Sequence, residues 1–310
     1  MITYRELSSL EIDLGYSAKM MYSLSNSIRT HYHEASIPKG NGEYRKLYVP
    51  DEELKVLQKR IADIILARVE ISPYATAYRV GGSPLKNAAP HVGHELLLKL
   101  DIRHFFDKIT YALVRTYAFP SNVFSDSNST LLATLCCYRD CLPQGAPSSP
   151  AISNIIMRDF DNVVGAWCSE RNITYTRYCD DLTFSGLFEP SSVKQFVSDE
   201  LHKMGFFLNE KKTVCVRDGQ KMSVTGIVVN HKTNVSSTYR KNIRQEIYYC
   251  KKYGIQDHLK AKESNEPETI YLRKLLGRIN YVLSIDPANA EFIGYKNWAI
   301  EKCRGKGDQN

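Results

Sequence analysis

The segment ITYTRYCDDLTFSG, residues 173–186, constrains the fold most strongly. Two runs of β-branched and aromatic residues flank Cys179, Asp180 and Asp181. Such runs around a short break predict a β-hairpin, which here would carry acid at its tip. An arbitrary Asp-Asp pair is most often a solvent-exposed turn. Chemistry at this tip therefore requires a further charged partner elsewhere in the chain.

Asp101 is the candidate partner, because it ends the short apolar run ELLLKLDI. That run predicts a buried strand with an acid at its end. Three carboxylates gathered at one place repel one another, so their pKa values rise or cations lie between them. Mg²⁺ is the natural partner of such oxygen ligands. Two ions about 3.5 to 4 Å apart stabilise the attacking and leaving oxygens of a phosphoryl displacement.

The first half of the chain predicts helices around one hairpin. Residues 1–36 have an amphipathic helical pattern, and Gly40 and Asn41-Gly42 indicate a hairpin turn. A helix is expected after Pro50, and residues 110–140 are helical with a break at Pro120. The prolines and glycine of LPQGAPSSP, residues 142–150, predict an irregular loop, after which residues 151–171 form one amphipathic helix.

The second half alternates helices and strands and ends in helices. Residues 190–204 are helical, and FFLNEKKTVCV and KMSVTGIVVN predict strands. Ser237 or Thr238 is expected to cap the next helix, and Pro267 to begin another. The order predicts an α+β fold with helices on one face of an antiparallel sheet, a smaller lobe before it and a basic helical lobe after it, arranged around a groove.

Charge and cysteine content narrow the class of protein. Residues 211–310 carry 19 Lys and Arg against 10 Asp and Glu, whereas residues 1–210 carry 22 against 24. The basic third fits nucleic acid about as well as it fits a solvated face. The eight cysteines lack paired metal spacing, so reduced thiols are expected, and packing is favoured over a metal site of Cys136, Cys137 and Cys141 with His91 and His94. The most apolar run after the N-terminus, from Ile61, is too short for a membrane span, which predicts a soluble, cytoplasmic protein.

Three motifs, in order, resemble those of reverse transcriptases. TRYCDDLTFSG resembles the YxDD motif, with Cys179 at the variable position; LKLDIRHFFDKIT resembles the first catalytic motif; and LPQGAPSSPAISN resembles the template and nucleotide-binding loop. The resemblance implies a right-hand polymerase fold. It also implies that Asp101, Asp180 and Asp181, with the backbone of Ile102, bind two Mg²⁺ ions, for which Mn²⁺ can substitute. Gln144 and Gly145 would then bind the nucleotide.

Further positions resemble the nucleotide site of the same family. Phe106 stands where the family has an aromatic gate against the ribose 2′-hydroxyl, and the alternative is a core phenylalanine. In LNEKKT, Lys211 or Lys212 would neutralise pyrophosphate, and the alternative is a surface lysine. Arg45 and Lys46 resemble residues that grip the triphosphate, and a hairpin charge pair is nearly as good an interpretation.

Two short elements resemble the hallmarks of retron reverse transcriptases. NAAPH, residues 87–91, resembles the NAxxH element, and VTG, residues 224–226, resembles the second hallmark. The resemblance implies RNA binding by Asn87, His91 and Thr225. The helix TYRKNIRQEIYYCKKYG interleaves cations with tyrosines, which suits RNA but equally suits a solvated face. Its candidate RNA-binding cations are Arg240, Lys241, Arg244, Lys251 and Lys252.

The resemblance implies a specific activity and organisation. Retron enzymes copy part of a structured noncoding RNA into DNA from an RNA 2′-hydroxyl, and typically serve in anti-phage defence with a separate effector protein. The expected regions are an N-terminal helix and fingers over 1–92, with part of 110–145, a palm over 93–235 and a basic thumb over 236–310. The chain ends soon after this thumb, so we expect no maturase, endonuclease or RNase H region. The alternatives are a group II intron-like or other bacterial enzyme using a 3′ primer, and a catalytically silent RNA-binding scaffold.

Overall fold

A computed structural model describes residues 3–38, 42 and 44–304. The chain divides into two compact units by its internal contacts. The first unit comprises Met1–Ser83 and Leu96–Cys215, and the second comprises Pro84–Glu95 and Val216–Asn310. Each unit therefore contains two separate stretches of the chain. None of the helices in the described part of the chain combines the length and apolar character that crossing a bilayer requires.

The first unit begins with two helices and a hairpin. Helices α1 (Leu7–Leu14) and α2 (Ala18–Asn26) precede strands β1 (Tyr32–Pro38) and β2 (Tyr44–Pro50). The predicted hairpin is confirmed, but the predicted helix over residues 1–36 is wrong from Tyr32 onward. Pairing of β1 with β2 along its whole length, from Tyr32 opposite Pro50, overrides the local helical pattern there. The predicted turn at Gly40–Gly42 lies outside the described residues except for Gly42.

The helix that the sequence predicts after Pro50 is confirmed, and the structure adds its cap. Helix α3 (Glu52–Arg60) begins after Asp51, whose side chain accepts a hydrogen bond of 3.0 Å from the backbone N–H of Leu54. The helix continues beyond α3 as a π-helical turn, Ile61–Ile65, and a 3₁₀ turn, Leu66–Arg68. The next helix, α4 (Pro84–Ala88), already belongs to the second unit.

The centre of the first unit is an antiparallel sheet with strand order β4-β5-β3-β6. Its strands are β3 (Leu96–Asp101), β4 (Thr174–Tyr178), β5 (Asp181–Gly186) and β6 (Val214–Arg217), and the chain enters the second unit after Cys215. The helices that accompany it are α5 (Phe105–Lys108), α6 (Tyr111–Leu113), α7 (Asp126–Cys136), α8 (Ser149–Ile156), α9 (Arg158–Ser169) and α10 (Pro190–Lys203). The predicted α+β fold is confirmed.

Two details of the helices differ from the sequence prediction. The single helix expected over residues 151–171 is two helices, α8 and α9, which meet at Met157. Pro150 belongs to the first turn of α8 and not to the preceding loop. The backbone N–H groups of a first turn have no acceptor within the helix, so a proline there forfeits no hydrogen bond.

After α4, the described residues of the second unit form a small sheet and four helices. The strands are β7 (Ser223–Val224), β8 (Ile227–Val228) and β9 (Asn234–Val235), in that order. The helices are α11 (Ser237–Tyr253), α12 (Ile255–Ala261), α13 (Glu268–Ile285) and α14 (Ala290–Arg304). Pro267 precedes α13 as predicted. The predicted cap of α11 is wrong by one residue, because Ser236 accepts the hydrogen bond from the N–H of Tyr239.

Candidate active site

Strand register brings the three predicted carboxylates to one end of the central sheet. Asp101, the last residue of β3, lies directly opposite Asp181, the first residue of β5. The backbone N–H of Ile102 donates to the carbonyl of Asp180 over 3.0 Å. Pairing of the apolar run 96–101 with the hairpin therefore fixes where all three acids stand.

The turn between β4 and β5 consists of Cys179 and Asp180. Cys179 has a φ of +62°, in the left-handed region that non-glycine residues seldom adopt. Its side chain is buried, and burial raises the pKa of the Cys179 thiol to about 12. The thiol is therefore protonated at neutral pH and unsuited to serve as a nucleophile.

The electrostatics of the site favour a bound cation. Burial, followed by repulsion from Asp101, raises the pKa of Asp180. Burial, followed by repulsion from Asp180 and Asp101, raises the pKa of Asp181 to about 6. Positive charge placed among these groups would relieve both the repulsion and the loss of hydration.

Lys212 supplies one such charge in this structure. Its Nζ lies 2.7 Å from Oδ2 of Asp101, and Nδ2 of Asn209 donates to Oδ1 of the same carboxylate over 3.1 Å. Burial alone would lower the pKa of Lys212, but the hydrogen bond to Asp101 and the neighbouring carboxylates raise it on balance. The sequence left open whether Lys211 or Lys212 serves the site, and both are exposed, but it is Lys212 that contacts Asp101. Asn209 was missed, although it belongs to the same LNEKKT segment.

The donor set suits a hard divalent ion, although no preformed cage is present. Carboxylate oxygens are the ligands that Mg²⁺ prefers. No group of three or more His, Cys, Asp or Glu at metal-binding geometry is found within residues 3–38, 42 and 44–304. Asp101 instead pairs with the ammonium of Lys212, whose single positive charge takes the place that a metal ion would have. The residues therefore fit a metal by chemistry and by charge, with Asp101 engaged elsewhere in this state.

A buried ion pair beneath the hairpin was not predicted from the sequence. Arg177 of β4 and Asp161 of α9 are both fully buried, and their side chains form contacts of 2.6, 2.8 and 3.0 Å. Nη1 of Arg177 also donates to the carbonyl of Cys179 over 3.0 Å. The hydroxyl of Tyr175 donates to Asp161 over 2.8 Å, and Nη2 of Arg177 donates to Asn154 over 3.2 Å. The turn of Cys179 and Asp180 is thus tied to helices α8 and α9.

The sequence contained a weak signal for this pair. Asp161 falls on the buried face of α9, with Phe160, Val164 and Cys168, where an unpaired acid would be costly. Its partner is a strand residue 16 positions away, which helical periodicity cannot identify.

The predicted nucleotide-binding residues divide into two groups. The carbonyl of Gln144 accepts a hydrogen bond of 2.8 Å from the N–H of Tyr48, which attaches the LPQGAPSSP loop to β2. Gly145 has a φ of +118°, and a Cβ there would lie 3.0 Å from the carbonyl oxygen of Tyr48, so close approach requires glycine. Phe106 is half-buried and packs edge-on against Phe105 at 5.3 Å between ring centroids.

The remaining pair lies on the exposed part of the hairpin. Arg45 is exposed, and Nζ of Lys46 forms an ion pair of 2.9 Å with Glu34 of the adjacent strand. The structure therefore brings Lys46 to a hairpin charge pair, one of the two interpretations that the sequence left open.

NAAPH and VTG lie together in the second unit, although about 140 residues separate them. The side chains of Asn87 and His91 are buried. Oγ1 of Thr225 donates to the carbonyl of Pro84, the first residue of α4, over 3.1 Å. Burial and the neighbouring His94 lower the pKa of His91 to about 3, so its ring is neutral. RNA binding by these residues stays a prediction. Because Asn87 and His91 are buried, they would act by fixing the shape of the segment and not by direct contact.

The cations of α11 engage neighbouring side chains to different degrees. Arg244 forms a two-pronged ion pair with Glu291, at 2.7 and 2.6 Å. Lys251 lies over the rings of Tyr295 and Trp298, and Lys252 over those of Tyr248 and Tyr253. Lys241 is exposed and Arg240 is partly buried. The lysines therefore keep their charge at the surface, whereas Arg244 is neutralised within the unit.

Comparison with known proteins agrees with the motifs. The family described as reverse transcriptase (RNA-dependent DNA polymerase) matches residues 37–229. The chain is similar to the retron Ec86 reverse transcriptase of Escherichia coli, with 32% identity over 270 residues, 86% of this chain and 79% of that protein. It is also similar to the retron Ec83 enzyme of Escherichia coli, with 32% identity over 285 residues, 86% of this chain and 87% of the relative.

A third relative and one solved structure complete the comparison. The retron Mx65 reverse transcriptase of Myxococcus xanthus is 31% identical over 281 residues, 84% of this chain and 63% of that protein. The telomerase of Candida albicans, solved with a fragment of telomeric RNA, has a TM-score of 0.47 at 12% identity over 86% of this chain and 65% of that one. The family match and the retron relatives establish that this chain belongs to the retron reverse transcriptases, a group of RNA-directed DNA polymerases.

Proposed function

We propose that this protein copies part of a structured noncoding RNA into DNA from an internal 2′-hydroxyl of the same RNA. The product would be branched, multicopy single-stranded DNA attached to RNA, made in the cytoplasm. The proposal is carried by the similarity to retron reverse transcriptases over most of the chain. By the same resemblance, the system would act in anti-phage defence together with a separate effector protein.

The proposed chemical site is the carboxylate end of the central sheet. Asp101, Asp180 and Asp181, with the backbone of Ile102, would hold two Mg²⁺ ions, or Mn²⁺ in their place. Such ions stabilise the attacking and leaving oxygens of nucleotidyl transfer. The raised pKa values of Asp180 and Asp181 support this assignment, because burial and repulsion between the carboxylates outweigh the attraction of the nearby lysines. Lys212 keeps Asp101 paired while no ion is bound.

The surrounding residues would select and orient the nucleotide. The proposed contacts of Gln144 and Gly145 are with template and deoxynucleotide, and the attachment of their loop to β2 supports a fixed position for them. Phe106 would exclude a ribose 2′-hydroxyl by filling its volume. Arg45, Lys46 and Lys211 would attract the triphosphate. Lys46 would have to leave Glu34 to do so, and both partners are exposed enough to exchange.

We further propose fingers over residues 1–92 with part of 110–145, a palm over 93–235 and a thumb over 236–310. Contact with the RNA would involve Asn87, His91 and Thr225 through the shape of their shared segment. It would also involve Arg240, Lys241, Lys251 and Lys252 through charge, with Arg244 contributing only if it leaves Glu291. Positioning of one RNA hydroxyl would then require orientation alone and no additional catalytic group.

The linkage between RNA and DNA tests this function. The protein is purified with its bound nucleic acid, which is sequenced and then digested exhaustively with ribonuclease. We expect a few ribonucleotides to persist at the 5′ end of the DNA and a debranching enzyme to release them. DNA with a free 5′ end from the outset would favour an enzyme that uses a conventional 3′ primer. RNA without any DNA, from a protein that also fails to extend an annealed primer, would favour a silent scaffold.

A further inference from the structure

Helices α11 and α12 enclose a cavity of about 520 Å³ in the second unit. This volume lies within the range of small-ligand sites in proteins. Asn242, Glu246, Tyr249 and Tyr253 line one side, and Asp257 and His258 line the other. The first four follow helical spacing on α11 and therefore share a face of that helix. The cavity is formed within one short stretch, residues 242–262.

The walls of the cavity are flat aromatic surfaces. The ring of Tyr249 lies 5.9 Å from that of His258 with 21° between their planes, and 6.2 Å from that of Tyr253 with 26° between planes. Tyr249 is 37% exposed and Tyr253 is 54% exposed. Nearly parallel aromatic rings that remain partly accessible are suited to stack on another planar ring.

The lining of the cavity offers hydrogen-bond acceptors beside the donors of Lys262 and of the two amides Asn242 and Gln245. His258 is only 6% exposed, and its Nε2 has no hydrogen-bond partner among the described residues. Burial lowers the pKa of His258, so the ring is neutral and one of its nitrogens is an acceptor. Arg278, Lys262 and Tyr271 hold the carboxylate of Glu246 in place. Asp257 adds a second carboxylate, which is exposed and forms a loose ion pair of 3.8 Å with Lys260. A ligand with N–H donors on a planar ring complements these groups.

Cations next to the cavity suit a phosphate backbone. Nζ of Lys252 lies 4.9 Å from the centroid of the Tyr253 ring, and Lys262 is itself part of the lining. Aromatic faces beside lysines are a common arrangement for single-stranded nucleic acid, in which bases stack and phosphates are neutralised. We propose that this cavity binds one unstacked base of the RNA, with its pairing edge toward the acceptors. The proposal rests on the RNA-binding function proposed above.

A backbone with a single base tests the cavity directly. The probe is an eight-residue abasic RNA backbone, labelled with fluorescein, carrying either no base or one guanine, whose pairing edge has N1–H and N2 amino donors. Fluorescence anisotropy gives the two dissociation constants. We expect the guanine to tighten binding about tenfold, in line with the effect of stacking one base. Tyr249→Ala and Tyr253→Ala should each reduce that ratio to below about twofold, while binding of the baseless backbone stays unchanged.

Tyr248→Ala is the matched control. Tyr248 is the neighbouring, 54% exposed tyrosine of α11 and does not line the cavity. The control should keep the full guanine preference. Equal loss in Tyr248→Ala, or no guanine preference in the unsubstituted protein, would overturn the proposal. Guanosine monophosphate that binds as tightly as the single-guanine probe would also overturn the assignment to RNA.

Primer extension by the same preparations separates this proposal from the general function. A protein that extends an annealed primer but shows no guanine preference loses only the cavity assignment. A protein that does not extend any primer contradicts the proposed function, whatever its guanine preference.

Discussion

The described part of the molecule contains two hairpins with two-residue turns, and they differ in what supports them. The turn of Cys179 and Asp180 belongs to the first unit, and the turn of Thr225 and Gly226 to the second. Both place a non-glycine residue at positive φ, +62° for Cys179 and +46° for Thr225. The first turn is supported by the buried Arg177–Asp161 ion pair, and the second by packing against α4, including the hydroxyl of Thr225 on the carbonyl of Pro84.

The two hairpins differ in the side chains around them, which are carboxylates in the first and buried neutral groups in the second. The first hairpin carries two carboxylates whose pKa values are raised, so a cation bound beside them would stabilise their charged forms. The second hairpin is attached to a segment with buried neutral side chains, including His91, and contains no acid. Substitutions should therefore affect charge balance and catalysis in one hairpin, and mainly folding in the other.

The largest effect on stability is expected for Asp161→Ala. Removing this acid leaves the guanidinium of Arg177 buried without a partner, which typically costs about 3–5 kcal/mol. Incorporation should fall as well, because Arg177 donates to the carbonyl of Cys179 in the turn that we propose as the catalytic site. The two tryptophans allow the units to be followed separately. Urea denaturation followed by Trp167 fluorescence, in a Trp298→Phe background, measures the first unit.

Asp159→Ala is the control for this experiment. Asp159 lies on the same helix and forms an exposed ion pair with Arg158, worth at most about 1 kcal/mol. Similar losses of stability for the two variants would show that the buried pair does not support the hairpin.

The next effect is a pH dependence of the NAAPH segment, to which the second hairpin is attached. Because burial lowers the pKa of His91 from 6.5 to about 3, the unfolded chain binds this proton more readily than the folded one. The contribution of His91 to the free energy of unfolding is therefore full above pH 6.5 and is lost as the pH falls toward 3. At pH 5 the loss from this group is about 2 kcal/mol.

Trp298 fluorescence in a Trp167→Phe background reports on this dependence. His91→Gln should flatten the fall in unfolding free energy between pH 7 and pH 5, while other titrating groups act equally in both proteins. An identical slope with and without His91 would mean that the ring is not held neutral by burial.

The smallest effect concerns the turn itself. Gly226 has a φ of +83°, so Gly226→Ala should destabilise the second unit by about 1–2 kcal/mol. Gly277, in the middle of α13, has open space around it and no positive φ. Gly277→Ala should therefore stabilise the same unit by about 0.5–1 kcal/mol. Thermal unfolding followed at Trp298 compares the two, and shifts of equal sign would contradict the assigned turn conformation.

The sequence predicted those parts of the site whose conformation follows from the residue pattern of one short segment. The hairpin at 174–186 and the strand ending at Asp101 follow from alternation and apolar runs, and their pairing brings the acids together. Strand β1 was mistaken for helix because its partner β2, which decides its conformation, is remote from the local pattern. The Arg177–Asp161 pair and the Lys212–Asp101 contact join residues 16 and 111 positions apart, which no local periodicity encodes.

Nucleotide incorporation by the double variant Asp180→Asn and Asp181→Asn tests the central claim most directly. Primer extension on an RNA template is measured beside binding of the RNA and urea denaturation of the first unit. Because amides cannot supply the charge that holds divalent ions, we expect incorporation to fall to background while RNA binding and unfolding stay near those of the unsubstituted protein. Incorporation at close to the unsubstituted rate would contradict the assignment of catalysis to this hairpin.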